Sequence, residues 1–380
     1  MLSGPQFSDP YDQTDQEALK REERAARKRK SRKEDRTLVS IVMTVYNGEK
    51  YLEEQLKSLA RQTLRPDELL IGDDGSTDGT EAVIRQMIRK LPFPVSYVKN
   101  ETRLGYAENF RRTAGRTRGN LLFFCDQDDV WKRNKLERMV SVMEAHPEIL
   151  VLVSSFWLTD STISKMRLTM DQMVSGMVSA VWQPGAALLS GGGTEEASAD
   201  SSGDAEVPEM IPWEAYLRHP KYPGMTMAFR RELWEQVSLL PWPEKAAHDW
   251  MVCEYAAERD GLYRIPDRLV FYRQHGDNTT GTAADRSGGA AVQGRVRLLE
   301  TMAEEADVLC RRETLGTGDK RKKKTAKRTA AMLRHRIHLL EDPFSGTGFL
   351  KLLKYDLAHL DCMTLQSLCG DLVCFLRKHA

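Results

Sequence analysis

Five short apolar runs separated by four helical stripes constrain this chain more than any other feature. The runs are Leu38–Tyr46, Glu68–Gly72, Val95–Val98, Leu121–Cys125 and Ile149–Leu158. Between them, Leu52, Leu56 and Leu59 fall on one face of a helix. Val83, Ile84, Met87 and Ile88 fall on another, behind an Asp78–Glu81 stretch with capping-box spacing. A third helix is expected over Tyr106–Ala114, and Leu136, Met139, Val140 and Met143 mark a fourth. Strands alternating with helices through short connections argue for an α/β fold, with a mostly parallel sheet covered on both faces.

Two acidic clusters sit where two of these strands end. Asp73-Asp74-Gly75-Ser76 follows the second run, and Asp126-Gln127-Asp128-Asp129 follows the fourth. Open α/β sheets bind ligands outside the carboxyl ends of their strands. Carboxylates this close repel one another unless a cation or a donor-rich ligand lies between them. Asp126 and Asp128 offer hard oxygen donors suited to Mg²⁺ or Mn²⁺, ions that share their coordination with substrate phosphates. Asp73 or Asp74 can accept hydrogen bonds from a pyrimidine N–H or from ribose hydroxyls. The same Asp-Gly-Ser-Thr-Asp-Gly stretch also reads as a turn with a helix cap, and both roles can hold at once.

Beyond this core, residues 1–36 are polar and read as a disordered basic arm. Residues 183–209 are rich in Gly, Ala, Ser and acids and read as a flexible insertion. A Gly/Ala/Ser-rich linker near 282–289 precedes a helical region, 290–380, with helices expected over Val296–His338 and Phe349–Leu376. The net charge of +1 selects no class of partner. The basic runs at Lys20–Lys33 and Lys320–Arg328 lack interleaved aromatics, so no nucleic-acid partner is expected. None of the six cysteines forms a Cys-x-x-Cys pair, which points to buried reduced thiols in a cytoplasmic protein. No secretory signal and no membrane-spanning apolar run is visible. The turn after the first strand is Tyr46-Asn47-Gly48-Glu49 rather than Gly-x-Gly-x-x-Gly, which argues against a nicotinamide-dependent oxidoreductase.

Taken in order, Val39–Gly48, Asp73–Thr80, Asn100–Gly105 and Asp126–Trp131 closely resemble the family 2 glycosyltransferases of GT-A fold. The Asp-Gln-Asp-Asp form of the acidic motif looks most like the rhamnosyltransferase-like branch that builds bacterial surface polysaccharides. The resemblance covers about residues 37–282 and implies a Rossmann-like mixed sheet flanked by helices. It implies an inverting transfer of a sugar from a dTDP- or UDP-sugar to a glycan or lipid-linked acceptor. The metal would be Mg²⁺ or Mn²⁺, and the protein would contact the inner face of the cell membrane peripherally. Donor contacts are expected from Thr44, Tyr46, Asn47, Asp73, Asp74, Arg103, Asp126, Gly224 and Arg273. Asp126, Asp128 and His275 would hold the metal, and Asp249, in His248-Asp249-Trp250, would be the base. The alternative is a non-catalytic nucleotide-sugar-binding or scaffold protein on the same fold.

Overall fold

The computed structural model describes residues 36–163, 207–218, 222–242, 246–275 and 320–341, with short helical pieces within 296–307 and 350–355. The chain divides into two units, Met1–Leu38 and Val39–Ala380. Only residues 36–38 of the first unit are described. The expected arm, the 183–206 part of the insertion, the 282–289 linker and most of 349–376 lie outside the described residues.

The first half of the second unit alternates as expected. Its elements are β1 (Val39–Val45), α1 (Leu52–Ala60), β2 (Glu68–Asp73), α2 (Thr80–Ile88), β3 (Val95–Lys99), α3 (Tyr106–Ala114) and β4 (Leu121–Cys125). Then come β5 (Val130–Trp131), α4 (Lys135–Ala145), β6 (Val151–Thr159), β7 (Glu209–Met210) and α5 (Trp213–Arg218). A 3₁₀ turn at Gly224–Thr226 leads into β8 (Met227–Arg230), followed by α6 (Arg231–Val237), α7 (His248–Ala257), β9 (Leu262–Arg273) and α8 (Lys320–Glu341).

Among the described residues the strands form one nine-stranded sheet in the order β3-β2-β1-β4-β8-β6-β9-β5, with β7 paired to β9. Strands β3, β2, β1 and β4 are mutually parallel, while β8 runs antiparallel to both β4 and β6. The sheet is therefore mixed rather than mostly parallel.

The strand sequences account for the burial. Every residue of β1, β2 and β4 is buried, the state of a parallel strand covered on both faces. Side chains alternate between those faces. Ile41, Met43, Leu121 and Phe123 join a core with Leu52, Leu56, Ile84, Met87, Leu136 and Met139 from α1, α2 and α4. Val42, Leu122 and Phe124 point the other way, against Phe110 of α3, Trp213 of α5, Trp234 of α6 and Tyr255 of α7. Each such side chain contributes about 1.5–3 kcal/mol of burial. Among the described residues Cys125 and Cys253 are free and buried.

This architecture gathers the functional loops. The parallel β2, β1 and β4 all finish at one edge of the sheet, and adjacent strands lie about 4.8 Å apart. Because β8 runs antiparallel to β4, with Phe123 opposite Ala228, the Gly224–Thr226 turn at its start meets the end of β4. Strand β9 ends at Arg273, and its antiparallel pairing with β5 sets it beside the acidic loop.

Gly72 shows how tightly α3 seats on β2. A Cβ there would run into Thr113 Oγ1 and lie 2.8 Å from Asn109 Oδ1, while the Asn109 Nδ2 donates to Gly72 O at 2.8 Å. We expect Gly72→Ala to destabilise by about 1–3 kcal/mol through overpacking, lowering the melting midpoint by several degrees. At Gly115 the nearest atom to an added Cβ is 3.5 Å away, so Gly115→Ala should be neutral or slightly stabilising. Urea and thermal unfolding of the two variants check this contrast.

Candidate active site

The acidic loop at the end of β4 is held from two sides. Gln127 forms a two-bond pair with the Tyr46 backbone: Tyr46 N donates to Gln127 Oε1 at 2.8 Å, and Gln127 Nε2 donates to Tyr46 O at 3.1 Å. Gly48 keeps room for that amide, since a Cβ there would clash with it. On the other side, Arg273 N donates to Asp129 Oδ1 at 3.1 Å and Arg273 Nε to Asp128 O at 2.7 Å. Asp129 is fully buried, with Oδ2 left without a hydrogen-bond partner. Asp126 and Asp128 are only partly buried. The loop thus turns one carboxylate inward and leaves two at the sheet edge.

Arg273 does not present a free cation to a diphosphate. It is 2% exposed, and its guanidinium is occupied by Asp128 O, Ser161 O and Glu54 Oε2 while lying 4.4 Å from the Tyr51 ring centre. Its place is behind the acidic loop, which it holds. The third residue expected at the metal, His275, also lies against this loop. His275 Nε2 contacts Asp128 Oδ2 directly at 2.9 Å, and its ring packs on Tyr51 at 4.7 Å. Among the described residues no group of three His, Cys, Asp or Glu side chains is arranged to hold a metal ion. His275 and Asp128 thus meet side chain to side chain at the end of the acidic loop.

At the end of β2 both aspartates are already engaged by the protein. Asp73 accepts from Ser76 N at 2.7 Å and from Tyr97 OH at 2.7 Å. Asp74 accepts from Leu104 N at 2.7 Å, Gly105 N at 2.9 Å and Asn100 Nδ2 at 3.3 Å. Asp73 therefore shapes its own turn, and Asp74 anchors the 100–105 loop. That loop lays Arg103 over the Tyr46 ring, 3.9 Å from its centre. Arg103 is 65% exposed, so the stacked pair forms a cationic, aromatic wall beside the ends of β1 and β2. Asn47, with φ 49°, accepts from Thr77 N through Oδ1 and donates its own N–H to Ser76 Oγ, which locks the β1 and β2 turns together. Asp78 accepts from Thr80 N at the start of α2. Thr44 is 9% exposed near the end of β1.

Asp249 lies in the first turn of α7, as expected from its sequence setting. One carboxylate oxygen accepts from Gly224 N at 3.0 Å and the other from Trp250 N at 2.9 Å. Gly224 permits the close approach: a Cβ there would sit 2.9 Å from His248 Nε2 and 3.6 Å from the Asp249 Cβ. Burial raises the Asp249 carboxyl to about 6. Asp126 is pushed up to about 8, first by burial and then by the charges of Asp128 and Asp249. The end of β4 and the start of α7 therefore share one electrostatic site. The Asp73/Asp74 corner lies two strands away, roughly 10 Å by ordinary strand spacing.

Gln127, Tyr97, Glu54 and Tyr51 were not singled out from the sequence. Gln127 lies inside the acidic motif, and this position was its one available signal. The others act across long sequence separations that no local pattern reveals.

Known proteins match these segments. Residues 40–183 match the family model described as Glycosyl transferase family 2. An uncharacterised Mycobacterium tuberculosis protein is 36% identical over 115 residues, which is 30% of this chain and 33% of that one. A Bacillus subtilis protein, TuaG, named for glycosyl transfer in teichuronic acid biosynthesis, is 34% identical over 106 residues, 28% of this chain and 42% of its own. The match thus spans about a third of the length of the mycobacterial relative. The mannosyltransferase PcManGT of Pyrobaculum calidifontis, solved with GDP-Man and Mn²⁺, aligns over 90% of this chain and 87% of its own at TM-score 0.51 and 16% identity. The mixed sheet flanked by helices is accordingly of the GT-A glycosyltransferase type.

The raised carboxyls have a consequence for stability. Asp126 and Asp249 move from 3.8 to about 8 and about 6, so the folded chain holds these protons more tightly than the unfolded one. Their contribution to stability is full below the unfolded value and is lost as pH rises through about 6 and then about 8. We expect the melting midpoint of ligand-free protein to fall between about pH 4 and about pH 8, and Asp126→Asn to remove most of that fall. Calorimetry across this range checks it; an undiminished fall in the variant would contradict the charge cluster.

Proposed function

Given the glycosyltransferase family 2 match on a GT-A sheet, we propose that this chain is an inverting sugar transferase. The donor is a nucleotide-diphosphate sugar, dTDP- or UDP-linked, and the acceptor a glycan or lipid-linked glycan. The observation that carries this reading is the convergence of Asp126 and Asp249, from two distant segments, at one edge of the sheet, where the charges of Asp128 and Asp249 add to burial in raising the Asp126 carboxyl. Such a concentration of carboxylates suits a site that receives a cation and activates a hydroxyl.

The donor's base and ribose lie toward the Tyr46–Arg103 wall and the Asp73/Asp74 corner, with Asn47 and Thr44 beside them. The diphosphate lies toward the end of β4. A divalent cation, Mg²⁺ or Mn²⁺, fits the hard oxygens of Asp126 and Asp128, and the Asp128 charge beside Asp126 disfavours the ionised Asp126 without it. Bound there, it would neutralise charge on the departing diphosphate. Two protein carboxylates are enough for such an ion, because phosphate oxygens and waters complete its shell.

Asp249 takes the proton from the acceptor hydroxyl as that oxygen attacks the anomeric carbon and the bond to the diphosphate breaks. A carboxyl raised to about 6 is mostly ionised at neutral pH, yet more basic than an ordinary aspartate. The Gly224 and Trp250 N–H groups fix its orientation. Arg273 serves as a positioning residue behind the acidic loop.

The rhamnosyltransferase-like branch and a place in bacterial surface polysaccharide synthesis follow from the Asp-Gln-Asp-Asp motif. The name of the B. subtilis relative supports the polysaccharide assignment. Among the described residues no helix is long and apolar enough to cross a membrane. Lys324, Lys327 and Arg328 are exposed on α8, which suits peripheral contact with anionic lipid at the inner face of the membrane.

The test is a screen of UDP-, dTDP- and GDP-sugars by thermal shift with Mg²⁺ or Mn²⁺, followed by transfer assays. Asp249→Asn should lower transfer by about 10²–10⁴-fold while leaving the nucleotide-sugar shift intact. Asp128→Ala should lose the metal-dependent part of that shift. Equal loss of binding and transfer in Asp249→Asn would remove this residue from the base role. Donor binding without turnover on any glycan acceptor would favour the non-catalytic alternative.

A further inference from the structure

The loop anchored by Asp74 carries a second aromatic ring, three residues beyond Arg103 and on the side of the base. Tyr106 is the first residue of α3 and 47% exposed, the most exposed aromatic ring among the described residues. Its placement is fixed by backbone. Gly105 has φ 84° with nothing within 4 Å of where its Cβ would lie, so this glycine serves the turn and not a tight contact. The Gly105 N–H is clamped by Asp74 at 2.9 Å.

Behind Tyr106 stands His248, the residue before Asp249. The two ring centres are 6.1 Å apart at 71°, an edge-on contact. One turn along α3, Phe110 stacks flat on the same imidazole at 3.8 Å and 18°. His248 is 5% exposed, and neither of its ring nitrogens has a hydrogen-bond partner. A buried polar side chain without partners is unusual and calls for a reason of its own. Burial keeps this ring neutral, so it acts as a flat, uncharged backing for the wall.

We propose that Tyr106 is the acceptor-side platform: the apolar C–H face of a pyranose ring in the acceptor packs on it and is thereby presented to Asp249. This rests on the sugar-transfer reading above and deepens it by assigning the acceptor's ring a place. An aromatic face carries negative quadrupole charge and attracts the weakly positive C–H groups of a sugar. Sites of this kind combine aromatic surface with a few fixed polar groups. Here the polar group is the Asp249 carboxylate, attached to the residue that backs the ring. Arg103 and Tyr106, on one clamped loop, divide the cleft between a donor wall and an acceptor wall.

The full chain would be loaded with Mg²⁺ and whichever of UDP, dTDP and GDP raises its melting midpoint most. Methyl α-D-mannopyranoside, methyl β-D-glucopyranoside, methyl α-L-rhamnopyranoside and glycerol would then be compared by saturation-transfer NMR. We expect contact to one face of at least one pyranoside ring and none to glycerol. Tyr106→Ala should weaken that binding by about fivefold; Tyr106→Phe and Tyr106→Trp should retain it, because the ring and not the hydroxyl is used. The nucleotide-induced shift should be unchanged in all three variants, which also reports that they fold. Pyranoside binding that is absent from the wild type, or unaffected by Tyr106→Ala, overturns this proposal while leaving the transferase reading standing. A nucleotide shift lost in Tyr106→Ala alone also overturns it, by moving Tyr106 to the donor side. Failure of every nucleotide to shift the wild-type chain overturns both.

Discussion

The structure depends on keeping three carboxylates, Asp126, Asp128 and Asp129, at the end of a fully buried strand. Unassisted, such a cluster would repel itself apart or protonate. The chain divides the load. Asp129 turns inward, where it receives the Arg273 N–H, and burial and its two neighbours raise it well above the ordinary carboxylate range. Beneath it lies Lys135, fully buried against the faces of Trp131 and Phe123. Burial depresses that ammonium to about 7, while the nearby Cys125 and Asp129 resist the change. Asp126 and Asp128 stay at the edge, where added positive charge can reach them. A cluster so arranged holds like charge close together at the sheet edge, a common property of binding sites.

The surrounding loops are built in advance of any ligand. The Gln127 amide ties the acidic loop to Tyr46, the Asn47 side chain ties Tyr46 to the Ser76–Thr77 turn, and Asp74 ties β2 to the loop bearing Arg103. Each tie is a side chain satisfying a backbone group of a different segment. Net gains of such bonds are modest, about 0.5–1.5 kcal/mol each. Their larger effect is to fix three strand ends in one arrangement, so that binding need not order them.

Where the sequence could be read, local chemistry decided the outcome. Leu121–Cys125 is an unbroken apolar run and became a strand with every residue buried; the 106–114 helix appeared with its expected bounds. Asp249 precedes an apolar face of Val252, Tyr255 and Ala256, and its helix begins at His248. What escaped was non-local or irregular. Strand β9 contains Pro266 and the charged Arg264, Asp267 and Arg268, and its register against β6 shifts between Ser154 and Phe156. No clean period of two survives there. The family likeness pointed Arg273 toward phosphate, but its guanidinium is claimed by Glu54 and Ser161, partners far away in the chain. Spacing alone does not reveal that His275 meets Asp128 directly, across 147 residues of chain. Asp73 and Asp74 were assigned to ligand and turn together, and the turn side of that reading is directly visible.

The change of strand direction at β8 explains why Asp249 can stand beside the acidic loop. A parallel strand next to β4 would bring its own carboxyl end to this edge, and the chain leaving it would have to return across a face of the sheet. An antiparallel β8 instead brings its beginning, so the Gly224–Thr226 turn arrives at the edge before the strand starts. The Gly224 N–H then points at Asp249, and the missing side chain leaves room for His248 and the start of α7. Helix α7 packs its Met251, Val252 and Tyr255 into the core behind Phe124 of β4, which fixes the helix start relative to that strand. The Asp73/Asp74 side of the edge is thus organised by parallel strand ends and the Asp249 side by one reversed strand. The site exists because the two arrangements meet at β4.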